Sequence, residues 1–274
     1  NDKNIKSFVN GRDIMQRPRN VKVIDLYNER IDDVQIEKPI IYQRLHDYVK
    51  PERDQNNRKS YRDAWWIWGE PRSEWREAAK DLDRVVATAR TAKHRVFQFF
   101  SPKVVLESKV VGLAINESHL ISELSSRVHV IFANHTGGWL GVGNDPTYNH
   151  SECFKKFPFP LLKAADAETR NRLRDLGERL DQHRKQRIER HGHLTMTALY
   201  NVLERVRELA AGADVAPLGD SERDIYDAGL VGVLGELHDE IDRAVLRAYG
   251  WDDLIDPLVG KPGATCPSPH KTLE

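Results

Sequence analysis

The sequence predicts an α+β protein, with a mixed or antiparallel β-rich part over residues 1–160 and a helical bundle over residues 161–256. The first observation is a series of short β-like segments, separated by turn residues, that fills roughly the first 115 positions. The second is that residues 166–249 carry apolar positions at helical spacing among many charges. Residues 257–274, which are rich in Pro and Gly, are predicted to form a flexible tail.

In the β-rich part, strands are predicted where apolar and β-branched residues cluster between turn signals, over residues 5–14, 21–26, 61–68, 85–88, 95–100 and 104–115. Residues 17–20 supply the first turn, and the polar run 52–62 is predicted to be a loop. A helix is predicted over residues 32–49, because five apolar side chains fall on one face: Ile36, Ile40, Ile41, Leu45 and Val49. A second, short helix is predicted to begin at Ser73.

Residues 117–133 are predicted to form the longest helix of the β-rich part, followed by a Gly-rich turn and a basic-aromatic strand that ends at Pro160. The bundle begins with a helix over residues 166–190, whose Leu173, Leu176 and Leu180 form an apolar seam. Residues 194–210 and 221–249 are the next helices, the latter interrupted around residues 229–235. Gly250 is predicted to end the last helix.

The net charge is zero, from 42 Lys and Arg against 42 Asp and Glu, but the charges are unevenly distributed. Residues 1–160 hold 26 basic against 21 acidic residues, which leaves 16 against 21 for the remainder. Residues 84–109 hold six basic residues and one acid, Glu107. Such an excess suits a surface that contacts phosphates, and it is equally typical of a solvated basic face.

Two cysteines, Cys153 and Cys266, lie far apart in the sequence, which predicts neither a disulfide framework nor a zinc ribbon and fits a reducing cytoplasm. No apolar run approaches the roughly 20 residues of a membrane helix, and no signal peptide is evident. A cytoplasmic protein with no membrane partner is therefore expected.

Several sequence blocks together resemble one family. They are the run from Ser125 through the Gly-rich turn to Tyr148-Asn149 and Phe157-Pro158-Phe159-Pro160, residues 10–14 with 23–25, residues 49–53 and 65–72, and residues 194–201, 229–231 and 237–251. These blocks resemble the target-recognition and C-terminal helical region of adenine-N6 DNA methyltransferases of the type IIL restriction–modification and phage-defence (BREX- and DISARM-like) kind. The resemblance covers nearly the whole chain.

The resemblance implies a sequence-specific DNA-recognition module whose partners are double-stranded DNA and the catalytic methyltransferase domain of the same parent chain. That domain would use S-adenosylmethionine and an Asn/Asp-Pro-Pro-Tyr/Phe tetrapeptide, but the present sequence contains no Pro-Pro dipeptide and no dinucleotide-type glycine motif. The chain is therefore expected to be a C-terminal fragment with no catalytic, cofactor or metal site and no activity of its own. The alternative is a protein–protein interaction module, in which the helix over residues 166–190 docks another defence-system subunit.

Arginine and lysine bind phosphate or guanine, and Asn and Gln amides pair with adenine, so the candidate DNA contacts lie where these residues cluster. The first group, beside the turn at Pro18, is Arg12, Arg17 and Arg19, for which ordinary turn chemistry or bracing of a domain junction is the alternative. The second group, in a predicted polar loop, is Arg53, Gln55, Asn56, Asn57, Arg58, Lys59 and Arg62.

A third candidate group precedes an apolar strand and comprises Lys93, His94 and Arg95. The fourth follows the Gly-rich turn and comprises Asn144, Tyr148, Asn149, Lys155 and Lys156, where a plain hairpin is the alternative. Base stacking by Trp65, Trp66 and Trp68 is conceivable, but a role in the core is favoured for these rings, and Phe157 and Phe159 are predicted to anchor the chain.

Overall fold

A computed structural model of the chain describes residues 3–140, 145–160 and 167–263 and confirms the α+β class. The chain divides into two compact units. The first unit consists of residues 3–8, 20–81 and 102–105, and the second of residues 9–19, 82–101 and the described residues from 106 onward.

The strands of the described residues are β1 (Ile5–Val9), β2 (Lys22–Ile24), β3 (Val85–Ala89), β4 (Gln98–Phe100), β5 (Val105–Leu106), β6 (Val110–Leu113), β7 (Gly138–Leu140) and β8 (Asp145–Thr147). They form a sheet in the order β2-β1-β5, a sheet in the order β4-β3-β6 and the hairpin β7-β8. In the central sheet both neighbours of β3 run antiparallel to it, with Val85 opposite Phe100 and Ala89 opposite Val110.

The helices before β7 are α1 (Gly11–Met15), α2 (Ile31–Glu37), α3 (Pro39–Tyr48), α4 (Lys50–Asp54), α5 (Lys59–Asp63), α6 (Ser73–Ala79), α7 (Ser118–Ser125) and α8 (Arg127–Thr136). The helices after β8 are α9 (Ala167–Arg190), α10 (Met196–Ala210), α11 (Asp220–Gly229), α12 (Val231–Tyr249) and α13 (Ile255–Leu258).

The core of the first unit is built by helices around one tryptophan. Its buried side chains are Leu26, Val34, Leu45 and Trp65. The prediction that the tryptophans fill a core is thus confirmed for Trp65, whereas Trp68 is 39% exposed and stacks on Phe8. The predicted strand over residues 61–68 is wrong, because α5 and a turn occupy that segment, and α4 and α5 also replace most of the predicted loop over residues 52–62.

The single helix predicted over residues 32–49 is two helices, α2 and α3. Pro39 begins the second one, since proline has no N–H to continue the hydrogen bonding of the first, and Lys38 has a non-helical φ of −138°. Leu45 is buried, but Ile36 and Ile40 are 79% and 85% exposed. The prediction that all five apolar residues share one buried face is therefore wrong for these two.

The core of the second unit lies between the central sheet and the helices. All five residues of β3 are buried, and so are the seam residues Leu173, Leu176 and Leu180 of α9. The predicted seam is thus confirmed, and it packs within this chain, chiefly against α7 and α12. Phe157 is buried as an anchor, but the predicted basic-aromatic strand is instead a π-helical turn, His150–Phe154.

The predicted division near Pro160 does not coincide with the division into compact units. Polar side chains of α9 bond the central sheet: Asp181 accepts the N–H of Phe99 at 3.1 Å, and Lys185 donates to the Phe99 carbonyl at 2.6 Å. Arg84, just before β3, forms an ion pair with Glu178. The sheet and the helical bundle therefore share one core.

A fully buried arginine connects the parts of this core. Arg184 donates to the carbonyl of Phe97 at 2.8 Å and to the hydroxyl of Tyr200 at 3.0 Å. The Tyr200 hydroxyl also lies 2.8 Å from Nε2 of His238 on α12. One polar chain thus crosses from the sheet through α9 and α10 to α12.

The helix ends follow the expected chemistry. The long helix predicted over residues 221–249 is interrupted, as expected, at Leu230, which is left-handed with φ 46°. Gly250 ends α12 with φ 74°, as predicted. The single helix predicted over residues 117–133 is α7 and α8, separated by Ser126. The backbone of Ser126 is extended, and its side-chain Oγ caps α8 by accepting the N–H of His129.

The first described residues of the predicted tail, over residues 257–263, contact the second unit. Arg127, which is buried, donates to the carbonyls of Lys261 and Pro262, and the N–H of Gly263 donates to Glu204 at 2.7 Å. These residues form a strap (residues 261–263) over the helices. Residues 264–274, which include Cys266, lie outside the described residues.

Glu123 on α7 gives a pH-dependent prediction. Burial raises its pKa to about 8 from 4.5, because the charged carboxylate loses its hydration. Since the folded-state pKa is raised, the stabilisation is complete below pH 4.5 and is lost as the pH rises through about 8. Glu123→Gln is therefore expected to unfold with less pH dependence than the wild type.

The difference in free energy of unfolding between pH 5 and pH 8.5 is expected to shrink by at most about 5 kcal/mol in this variant. Urea unfolding at the two pH values measures it, with exposed Glu168→Gln as the control. Equal pH dependence in wild type and Glu123→Gln would contradict the assignment.

Candidate nucleic-acid interface

A cavity in the second unit lies where α1 meets the end of β3. Asn10 caps α1 by accepting the N–H of Asp13 at 3.1 Å, and Asp13 in turn accepts the N–H of Asn10 at 2.9 Å. This capping box fixes the first turn and leaves Arg12 exposed. The cavity has a volume of about 420 Å³ and is lined by Asn10, Gly11, Arg12, Thr91, Glu107 and Lys109.

The cavity lining carries two cations, Arg12 and Lys109, and one acid, Glu107. Arg90 is exposed beside Thr91, and its N–H donates to the carbonyl of Lys109 at 2.8 Å, so the pairing of β3 with β6 brings the two residues together. Glu107 accepts the N–H of Lys109 at 3.1 Å. Within the described ranges, Arg12, Arg90 and Lys109 form no ion pair. The sheet end thus presents three cations beside one acid.

Sequence reasoning missed Arg90 and Lys109. The signal was the excess of basic residues over positions 84–109, but strand register, which the sequence did not provide, is what places these two side chains together. Arg12 is the one predicted contact that lines this cavity.

The other two arginines of the first predicted group serve the fold of the second unit. Arg17 donates from Nη1 to the carbonyls of Ile188, His191 and Leu194, at 2.6, 2.7 and 3.1 Å, and so caps the end of α9. Arg19 forms a two-pronged ion pair with Asp13, at 2.8 and 2.9 Å. The contacts of both arginines match the alternative to DNA binding, which was that these residues stabilise the turn.

The second predicted group lies together in the first unit, on α4, α5 and the turn between them. Asn56 accepts the N–H of Arg58 at 2.9 Å, which closes the turn, and its carbonyl accepts from Arg62. Gln55 and Asn57 are exposed. Lys59 is exposed as well and pairs with Asp63.

Two arginines of this group gather around one tyrosine. The guanidinium carbons of Arg53 and Arg58 lie 4.9 and 5.3 Å from the centroid of the Tyr61 ring. Arg58 also donates to the Tyr61 hydroxyl at 3.2 Å. We call this set the arginine–tyrosine cluster (Arg53, Arg58 and Tyr61). Tyr61 was not among the predicted contacts.

Most of the third predicted group is buried. Only Lys93 is exposed, and it donates to Asn201 at 2.7 Å. His94 is 0% exposed and packs on Tyr200, and burial lowers its pKa. The prediction that His94 contacts DNA is therefore corrected, because its ring belongs to the core.

The predicted DNA contact of Arg95 is corrected for the same reason, burial of the side chain. Arg95 is 3% exposed and donates to the carbonyls of Ala89 and Pro146, and its guanidinium lies 5.0 Å from the Tyr148 ring centroid. Burial lowers its pKa to about 10, because the cation has lost its hydration. The carbonyls that it bonds make it a link between β3 and β8.

The fourth group is divided between core and surface. Tyr148 is 1% exposed, with its hydroxyl 3.2 Å from His129, so its predicted DNA contact is also corrected. Asn149 caps the π-helical turn by accepting the N–H of Glu152 at 2.7 Å. Lys155 and Lys156 are exposed, while Asn144 lies outside the described residues.

No group of three or more His, Cys, Asp and Glu side chains in the described parts of the chain is placed to hold a metal ion. No helix among them combines the length and the apolar character that crossing a bilayer requires.

Comparison with known proteins places the fold. No protein-family model matches the chain, and no curated protein matches it. Among solved structures, it is similar to the type IIL restriction–modification enzyme MmeI in complex with DNA, with a TM-score of 0.61 and 15% sequence identity. The match covers 91% of this chain and 28% of the MmeI chain, so the protein spans less than a third of that enzyme's length. The protein therefore has a fold related to part of a restriction–modification enzyme.

Proposed function

We propose that this chain is the DNA target-recognition module of an S-adenosylmethionine-dependent adenine-N6 DNA methyltransferase of the restriction–modification or phage-defence kind. The observation that carries the proposal is the fold likeness to MmeI, a restriction–modification enzyme whose structure includes DNA, over 91% of this chain at a TM-score of 0.61. Double-stranded DNA is accordingly the proposed partner.

Exposed cations support this proposal in each unit. In the second unit, Arg12 and Lys109 line the cavity at the sheet end, and Arg90 is exposed next to Thr91, which also lines it. In the first, Arg58 and the exposed amides of Gln55 and Asn57 lie together on one segment. Cations of this kind contact phosphates and set affinity, whereas amides read base edges and set sequence preference.

The methyl transfer itself is proposed for a catalytic domain of the parent enzyme, which would bind S-adenosylmethionine and hold the flipped adenine. The residues of this chain would select the site. The alternative is an interaction module that docks another subunit through α9. The burial of the apolar seam of α9 within the second unit does not favour this alternative.

The experiment is selection from a pool of randomised duplex DNA across 50 to 200 mM salt, with sequencing of the retained fraction. The wild type is expected to show a steep salt dependence and to enrich a motif that contains adenine. The triple variant of Arg12, Arg90 and Lys109 to Ala is expected to lose about 0.9 from the slope of log K against log salt for each phosphate contact removed.

The matched control removes three exposed arginines from the helical part, Arg190, Arg223 and Arg243. It changes the net charge equally and is expected to leave the slope close to that of the wild type. If no duplex is retained even at the lowest salt, the proposed function is wrong.

A further inference from the structure

The arginine–tyrosine cluster concentrates positive charge that its neighbours do not neutralise. Between positions 50 and 63 there are five cations and three acids. Two of the acids are taken by lysines at helical spacing, in the pairs Lys50–Asp54 and Lys59–Asp63. Over the described residues, no ion pair involves Arg53, Arg58 or Arg62.

Like charges held this close repel each other, and the ring of Tyr61 partly offsets that cost. Each guanidinium is attracted to the electron-rich face of the ring, and the Tyr61 hydroxyl accepts one hydrogen bond from Arg58. Arg53 is also bonded weakly to the carbonyl of Ile67, at 3.5 Å. The remaining N–H groups are available to an anion, whose binding would remove the repulsion.

The position of the Tyr61 ring depends on Gly69. A Cβ atom at residue 69 would lie 2.5 to 2.8 Å from three atoms of the Tyr61 side chain, so the absence of a side chain there lets the ring lie against the backbone. The ring is half-buried, whereas Arg58 is exposed. A ring held in place orders the long arginine side chains that contact it before a ligand arrives, which lowers the entropic cost of binding.

We infer that Tyr61 is a positioning residue that holds Arg53 and Arg58 ready to bind the phosphate backbone of duplex DNA. This inference rests on the proposed function and assigns these two arginines to phosphates, not to guanine edges. The exposed amides of Gln55 and Asn57, on the turn between the two arginines, are left to face the bases.

The test measures binding of the full chain to a fluorescent random-sequence duplex across a salt series, and repeats the selection from the randomised pool. Arg53→Ala with Arg58→Ala is expected to reduce the slope of log K against log salt by about 2 and to weaken binding uniformly across sequences. Tyr61→Leu keeps both charges, yet is expected to lose part of that slope and to weaken binding several-fold. Tyr61→Phe keeps the ring and is expected to retain most of the affinity.

A second arginine–tyrosine contact in the same unit provides the matched control. Arg44 lies 5.4 Å from the ring centroid of Tyr48, and both are exposed, so Tyr48→Leu removes an equivalent contact outside the cluster. Thermal unfolding of each variant separates lost positioning from lost folding, and the double arginine variant and Tyr61→Phe carry the test if Tyr61→Leu fails to fold.

Two results would overturn the inference while leaving the proposed function intact. In the first, the wild type binds duplex DNA, but the double arginine variant has the same affinity and the same salt slope as the Tyr48→Leu control. In the second, removal of Arg58 changes the enriched motif at one position but leaves the salt slope unchanged. That result would mean that Arg58 reads a base. A wild type that binds no duplex instead rejects the proposed function itself.

Discussion

Replacing Gly177 by Ala is expected to lower the free energy of unfolding by about 3 kcal/mol or more. An added Cβ would lie 2.0 Å from the carbonyl oxygen of Ser118 and 2.9 Å from its carbon, where α9 crosses α7. Alanine is the better helix former by about 1 kcal/mol, so propensity alone predicts the opposite sign. The clash prevails because the obstacle is backbone, which cannot rotate away.

Gly235→Ala is the matched control for this prediction. It also adds a methyl group inside a helix, but the nearest atom is Cδ1 of the Leu203 side chain, at 3.2 Å, which can shift slightly. Urea unfolding of both variants is expected to place Gly235→Ala within about 1 kcal/mol of the wild type. A Gly177→Ala variant as stable as this control would show that α7 and α9 do not cross so closely.

Replacing Arg184 by Ala is expected to cost about 3 to 5 kcal/mol. The change removes the donors to the Phe97 carbonyl and the Tyr200 hydroxyl and leaves a void at a position that is 0% exposed. Buried acceptors without donors are costly. The same loss is expected to loosen the contact between α10 and the central sheet.

The control is Arg179→Ala on the same helix. Arg179 is half exposed and pairs with Asp175 one turn earlier, so its removal is expected to change stability by no more than about 0.5 kcal/mol. Chemical unfolding, together with amide exchange of β4 and α10, measures both effects. Similar stability of the two variants would mean that the polar chain through Arg184 contributes little.

Helical periodicity gave the second half of the fold correctly because it depends on local spacing. The seam of Leu173, Leu176 and Leu180 and the stop at Gly250 needed no knowledge of distant contacts. The first half was harder, since its tryptophans and β-branched residues suit strand and core alike. Residues 61–68 are helix and turn because Trp65 packs into a helical core, which is a tertiary preference and not a local one.

The candidate site was predicted from charge, and charge does not reveal burial. Lys93, His94 and Arg95 are adjacent in sequence, yet only the first is exposed, because strand geometry and carbonyl acceptors from β3 and β8 take Arg95 inward. The polar segment around Arg58 could be predicted as a candidate because several cations and amides there are close in sequence. Arg90 and Lys109 were missed because their proximity arises only from the pairing of two strands.

The strap at residues 261–263 is a short peptide that follows α13 and is bonded to the helical core. Arg127 and Glu204 bond this peptide while it remains covalently attached, so it is present at a high effective concentration. A single proteolytic cut after α13 would turn the same contacts into a bimolecular association and leave a buried guanidinium short of acceptors. Trimming the chain after α13, a common step in preparing a domain, would therefore remove the carbonyl acceptors of the buried Arg127.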